Sequence, residues 1–549
     1  ADFDGLVLAA NQELIFGQEI TSIRLSAGEG ILYNSQERPA QWFVSSHAGD
    51  DANDGMSAGS QFRTIGKLME YFIAAGDTII EDDDSYWWEE LTVGDSIIVR
   101  RSNTGTNRPI HDAGDIADNS EFSLSAGQTN TYEIAWIPLH GNQSTDNQLT
   151  IYENGQLLRY RDTISDVDAN PGSYTVDLFA DVTGNILYVH PTGSSNPVTD
   201  GKQYIITRRA TCITAGNNCT IIGIHTIRNV SNNGSIVALE NALIEDCLVE
   251  YGTKHNLYAN SATIRNCIIR YNDNYSHGSN TLLVFFKSNS TGLRSVVEGC
   301  TIEGGNPAIP DLPSETVALF MHSITVGGNL ADSVIIRNCN ITKVQGIGAG
   351  DVLSSTLENS TCINIGGWNM GNFTSIYRGN FIEVSGITPL PGRFDVRDNM
   401  LVEFRGNRIQ HSHASNTRIF YIVGDNSRLT VVNNSFNRDT NNSAVIEDFG
   451  AHAGVEIVYT NNIAAGFARG LQLNDNAPAS LSSENNIWKA SQVFLLGANS
   501  YTGLANWQAD PGGYDQNSVE VDPGFIDPAN GDFTTAAPEV DTLQAGVEY

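Results

Sequence analysis

Short runs in which apolar and polar residues alternate with a period of two recur through residues 210–505, as in LIEDCLVE (243–250), TIRNCIIR (263–270), VVEGCTIE (296–303) and IIRNCNIT (335–342). Such alternation predicts half-buried strands, and the Asn, Asp and Gly between runs predict tight turns. With Cys219, Cys247, Cys267, Cys300 and Cys339 as a reference slot, the third residue before it is usually apolar (Ile244, Ile264, Val297, Ile336). The second residue after it is Ile221, Val249, Ile269, Ile302 or Ile341. The slot is therefore an inward-facing strand position. The frame continues at Ser360, Asn380, Asn407, Asn434, Asn461 and Asn485, giving eleven repeats at spacings of 28, 20, 33, 39, 21, 20, 27, 27, 27 and 24 residues. A fixed strand motif at that period predicts stacked units that share one core. No amphipathic helix occurs in the units, so the expectation is an all-β parallel solenoid whose coils lie about 4.8 Å apart, a rod on the order of 50 Å long.

The cysteines admit three readings: a disulfide framework, a metal site or a stacked ladder. An odd count of seven and in-register stacking argue against disulfides, and zinc asks for Cys-x-x-Cys or paired His rather than one Cys per coil. Small buried thiols stacking on one another, followed by a serine and then by amide side chains bonded along the stack, are the expectation.

The other segments divide the chain. Residues 1–40 form an N-terminal segment suited to attachment, with a short strand-like stretch EITSIRL (19–25). Residues 41–106 read as a cap and the first coils, with an amphipathic helix from about Phe62 to Ala75 covering the open end of the core. Residues 107–209 lose the ladder motif and contain hairpin signals (LTIYENGQLLRYRD, GNILYVHPTG) that predict an inserted antiparallel module. Residues 210–505 carry the coils and 506–549 close the rod. The succession GDDANDG (49–55), FRTIGKL (62–68) and AAGDTI (74–79), together with VDPGFIDPANGDFTTAAPEVDTLQAG near the end, resembles right-handed parallel β-helix proteins of the pectate-lyase-like superfamily. That group holds polysaccharide lyases, glycosidases and phage tailspike depolymerases. The resemblance implies a right-handed β-helix, a β-sandwich-like inserted module, a polysaccharide ligand and an extracellular, secreted or virion-tail location.

A net charge of -33 with pI near 4.5 excludes nucleic acid and anionic membranes as bulk partners. No run of about 18 apolar residues is present, so no membrane insertion is expected, and the first residues lack the pattern of an uncleaved signal peptide. Oligomeric state is left as monomer or homotrimer, the latter through the rod faces.

Chemistry is expected where the coils lengthen. The 33- and 39-residue returns after Cys267 and Cys300 extrude YNDNYSHGSN (271–280) and GGNPAIPDLPSET (304–316), beside YGTKHN, VFFKSN and LFMHS. Insertions on adjacent coils of a solenoid gather on its binding face. The position three after the slot points outward and carries Glu250, Arg270, Glu303 and Thr342, while Lys287 and His322 occupy equivalent places one coil apart. Catalytic candidates are Lys254, His255, Arg270, Asp273, His277, Lys287, Glu250 and Glu303; Tyr251, Tyr258, Tyr275, Arg294 and His322 are candidates for substrate binding. Two mechanisms fit. In a lyase, Lys254, His255, Arg270 or Lys287 removes the proton α to a uronate carboxylate that a second cation or calcium neutralises. In a hydrolase, two carboxylates from Glu250, Asp273, Glu303, Asp311 and Glu315 flank the glycosidic bond. Non-catalytic glycan binding, as in an adhesin or tail fibre, is the alternative. No cofactor is required; GDDANDG resembles a cation loop, so calcium is possible, but the Asp, Asn and Gly turn preference favours turn chemistry before the cap.

Overall fold

A computed structural model describes residues 40–546 apart from 72, 137–149, 182–183, 230–233, 253–254, 273–280, 289–293, 305–315, 324–332, 345–346, 351–352, 366–367, 372–373, 385–393, 412–417, 439–443, 449–451, 474–477, 490–492, 536–537 and 539–544. The protein is a parallel β-helix. Its coils contribute strands in turn to three sheets of 14 strands: sheet 1 from Gln41–Val44 to Ser480–Glu484, sheet 2 from Tyr86–Trp87 to Val519–Glu520, and sheet 3 from Leu91–Val93 to Asn499–Thr502. Neighbours in these sheets are parallel, except the closing hairpin Val493–Leu496 with Asn499–Thr502.

The period-two pattern sets which residues enter the core. Ile244, Ile264, Val297 and Ile336 are register partners in sheet 1, and Val249, Ile269, Ile302 and Ile341 in sheet 2. All are at most 1% exposed. Toward the C-terminal end the core becomes aromatic: Tyr377 stacks on Phe404 at 4.2 Å, Tyr459 on Trp488 at 5.2 Å and Phe494 on Trp507 at 5.2 Å.

Between sheets 1 and 2 the chain bends through a single left-handed residue. Asn218, Asp246, Asn266, Gly299, Asn338, Asn359, Gly379, Gly406, Asn433, Asn461 and Asn485 all have φ between 48° and 64°. Gly has no Cβ to clash there, and Asn and Asp tolerate the region through local hydrogen bonding. In the ladder that follows, slot N–H groups from Cys247 onward are met by the slot side chain of the next coil. Cys247 N donates to Cys267 Sγ and Cys267 N to Cys300 Sγ, both at 3.4 Å. Cys339 N then donates to Ser360 Oγ (3.2 Å), Ser360 N to Asn380 Oδ1 (3.0 Å), Asn380 N to Asn407 Oδ1 (3.1 Å) and Asn407 N to Asn434 Oδ1 (2.9 Å). All seven cysteines are free and buried.

The last two rungs correct the sequence frame. Asn434 N donates to Asn462 Oδ1 and Asn462 N to Asn486 Oδ1, both at 2.9 Å, and the ladder closes on Ser518 Oγ at 2.7 Å. Asn461 and Asn485, expected in the slot, are the left-handed bend residues one position earlier. Asparagine doublets fit both roles by residue type, and only the hydrogen bonds separate them.

The capping helix is also shorter than expected, spanning Ile65–Leu68. Beyond Met69 the chain turns, and Tyr71 packs 5.4 Å from Trp42 and 4.8 Å from Phe62. Within Gly114–Thr207 lie a four-stranded and a five-stranded sheet, with Ile134, Ile151, Tyr174, Leu187 and Tyr204 in their own core. Asn154 and Gly155 both have positive φ, the two-residue hairpin that Asn-Gly predicts.

Candidate functional site

The outward rows of the three sheets differ in chemistry. On sheet 1, Glu245, Arg265, Glu298, Arg337, Glu358 and Arg378 stand in register and alternate in sign. Arg265 pairs with Glu245 at 2.8 Å and Arg337 with Glu298 at 2.9 Å. This face neutralises itself in contact with water, so it offers little to a ligand. Exposed Arg294 lies on this sheet, in register with Ser333 and apart from the other candidates.

On sheet 2 the outward row reads Asp112, Ile227, Glu250, Arg270, Glu303, Thr342. Glu250 is 5% exposed and accepts from His225 Nε2 at 2.8 Å and Arg270 Nε at 2.5 Å. Burial pushes its carboxyl up, but the hydrogen bonds and charges of His225 and Arg270 outweigh this and hold it below the ordinary glutamate value. Glu303 pairs with Lys343 at 2.8 Å. One residue further on, at the bend toward sheet 3, Arg228, Tyr251, Tyr271 and Lys343 all have left-handed backbones. The Tyr251 and Tyr271 rings are 5.5 Å apart, and the Arg270 guanidinium lies 4.8 Å over Tyr271. Arg228 bonds Asp112, which also accepts from the Tyr86 hydroxyl, and stacks 4.2 Å over Tyr152 of the inserted module. Tyr86 in turn packs 4.8 Å from Trp88.

Other candidates fall around this row. His255 begins the sheet 3 strand His255–Ala259, is buried, and has its ring 6.3 Å from half-buried Tyr258. Lys287 and His322 are register partners on adjacent strands, with side chains outside the described set. Lys254, Asp273, Tyr275, His277, Asp311 and Glu315 lie outside the described residues. In GDDANDG, Asp50 and Asp54 accept from Ala52 N and Met56 N, and Asp51 takes Arg63 N, Thr64 N and the Thr64 hydroxyl. These are turn and cap contacts. Among the described residues no group of three or more His, Cys, Asp or Glu is placed to hold a metal, and no helix is long and apolar enough to cross a membrane.

Sheet 3 carries residues the sequence reading did not single out. Its outward row includes Tyr258, whose register partners on the following strands are Phe285, Phe320 and Gly348, and further along Asp395, Tyr421, Glu447 and Gln472. Arg418 Nε donates to Glu447 Oε2 at 2.6 Å, and the same guanidinium sits 4.4 Å over the Tyr421 ring. Glu447 is 7% exposed and Gln472 5%, unusual burial for polar side chains on an outward face. Arg469 bonds Gln472 Oε1 at 2.5 Å, and Arg397 lies 3.7 Å from Asp395. The signal was available in FDV (394–396), FYI (420–422) and IED (446–448), each with a polar residue between or beside inward apolar ones.

No family model and no curated protein sequence matches the chain. Among solved structures it is similar to XylC in complex with xylose, at 11% identity over 88% of this chain and 87% of that one, with a TM-score of 0.51. A glycoside hydrolase (11% identity, 92% and 99% covered, TM-score 0.35) and a rhamnogalacturonan lyase (14%, 81% and 87%, TM-score 0.31) also align. What is shared is the fold. It is a long three-sheeted parallel β-helix.

Proposed function

We propose that the protein is a secreted or virion-borne polysaccharide depolymerase that binds an extended glycan on the outer face of sheet 3 and hydrolyses its glycosidic bonds between Asp395 and Glu447. The observation that carries this reading is the row Asp395, Tyr421, Glu447, with Arg418 bridging the last two. Two carboxylates flanking a glycosidic bond are the machinery of hydrolysis, one giving a proton to the leaving oxygen and the other activating water or attacking. Arg418 holds Glu447 and Arg397 stands 3.7 Å from Asp395, so each carboxylate of the pair has a cation beside it. Tyr421, stacked under the guanidinium, sits where a sugar ring would cross from one carboxylate to the other. A protein of this fold in complex with xylose supports the ligand class.

The two backbones are two strand spacings apart, about 9–10 Å. β-Elimination is the weaker reading because Arg270, one of its candidate bases, is engaged by Glu250. Incubation with a panel of neutral and acidic polysaccharides tests the proposal. Release of reducing ends without unsaturated product, with Asp395→Asn and Glu447→Gln each slower by about 100- to 10,000-fold, is the expected result. Unsaturated ends, or full activity in both variants, would refute it.

A further inference from the structure

The sheet 2 patch around Glu250 is a second, differently built place for a sugar. We infer that it is a non-catalytic subsite for neutral pyranosyl units, five coils upstream of the carboxylate pair, and that the protein therefore holds long chains rather than short oligosaccharides. The inference rests on the proposed glycan reading and adds a site to it.

Three observations carry it. The first is conformational. Arg228, Tyr251 and Tyr271 keep φ of 68°, 58° and 55° on three successive coils, and Lys343 keeps 55° two coils further on, in a region that bulky side chains seldom adopt. Strain of this kind persists where surrounding structure enforces it, and it gathers at ligand sites. The result here is two tyrosine rings at one bend, with Tyr86 and Trp88 nearby at the N-terminal end of the same sheet. Aromatic rings are the natural platform for the apolar face of a pyranose.

The second is electrostatic. Among the described residues the cations of the patch have carboxylate partners: Arg228 has Asp112, Arg270 has Glu250, Lys343 has Glu303, and Arg208 and Arg209 share Asp115. With the cations so compensated and a chain charge of -33 around them, a sugar acid gains nothing here. Hydrogen-bond capacity nevertheless remains. Arg270 binds Glu250 through Nε while its side chain is 35% exposed, and the buried Nε of Arg228 has no hydrogen-bond partner among the described residues.

The third is placement. The inserted module meets the rod at this patch, where Tyr152 covers the Arg228 guanidinium and Arg208 and Arg209 both approach Asp115. Along sheet 3, the strands His255–Ala259 and Phe394–Val396 are separated by five strand spacings, about 24 Å. A glycan must extend over several sugars to reach both sites.

The test uses the full chain carrying Asp395→Asn, with or without Tyr251→Gly and Tyr271→Gly, in affinity electrophoresis through xylan, mannan, β-glucan, galactan, polygalacturonate and alginate. At least one neutral polymer should retard the parent, and the tyrosine variants should bind it about tenfold more weakly. Because glycine relieves the left-handed backbone, their melting temperature should be unchanged or raised, whereas purely structural tyrosines would lower it. Tyr251→Phe should bind like the parent and guards against misfolding as the explanation. Retardation by the acidic polymers alone, retardation by none of the polymers, or neutral-polymer binding indifferent to both glycine variants would overturn the inference. In the otherwise wild-type chain, the glycine variants should lose activity on polymer but keep it on short oligosaccharides. If Asp395→Asn remains active while the tyrosine variants lose binding, hydrolysis at sheet 3 fails and this subsite stands; the opposite pattern removes the subsite alone.

Discussion

Replacing Asn434 by Ala probes the ladder where its geometry is most completely defined. Asn434 is fully buried; its Oδ1 accepts from Asn407 N and Asn407 Nδ2 at 2.9 Å each, and its Nδ2 donates to Phe404 O, Val432 O and Asn462 Oδ1 at 3.0–3.1 Å. Most partners have a second bond: Val432 O keeps Gly406 N, Asn462 Oδ1 keeps Asn434 N, and Asn407 Nδ2 keeps Tyr377 O. Among the described residues Asn407 N has no such alternative. One sealed backbone N–H left without an acceptor costs about 1–3 kcal/mol, and the weakened side-chain bonds add to it, so a loss of about 2–4 kcal/mol is expected. Equilibrium denaturation monitored by circular dichroism measures it. The neighbouring Asn433→Gly is the control: Asn433 has φ of 56° and no rung, so glycine there should change stability by less than about 0.5 kcal/mol or raise it slightly. A change below about 0.5 kcal/mol in Asn434→Ala, or equal losses in both variants, would refute the ladder as the source of stability.

Two further outcomes follow from buried groups. The seven cysteines should resist a thiol reagent in the folded protein and all titrate in denaturant without reductant, and a shortfall would mean that some are paired. The carboxyl of Glu250 is held below its ordinary value of 4.5, so its contribution to stability is present above that pH and is lost as pH falls through the folded value. The melting temperature should therefore drop on acidification below about pH 4.5, and Glu250→Gln should flatten that limb; an identical acid limb in the variant would show that the His225 and Arg270 contacts do not bias its titration.

Local chemistry made the rod legible in the sequence. A period of two decides which face of a strand is buried, and an Asn, Asp or Gly before an inward slot marks a left-handed bend, because both properties depend on one residue and its immediate neighbours. Eleven occurrences of that pattern sufficed for the β-helix and for the cysteine-to-asparagine ladder. Where two asparagines adjoin, as at Asn461–Asn462 and Asn485–Asn486, residue type no longer distinguishes bend from rung, and the neighbouring coil decides. The partners of outward side chains were not readable for a related reason. Coils differ in length, so sequence separation says little about which residues meet. Arg270 reads as an available cation until the preceding coil sets Glu250 against it, and Asp395 and Glu447 become one row only when the sheet 3 register aligns them through Tyr421. Inward placement is a property of the strand, whereas the chemistry of the outer face belongs to the stack, and stacking is decided by tertiary structure.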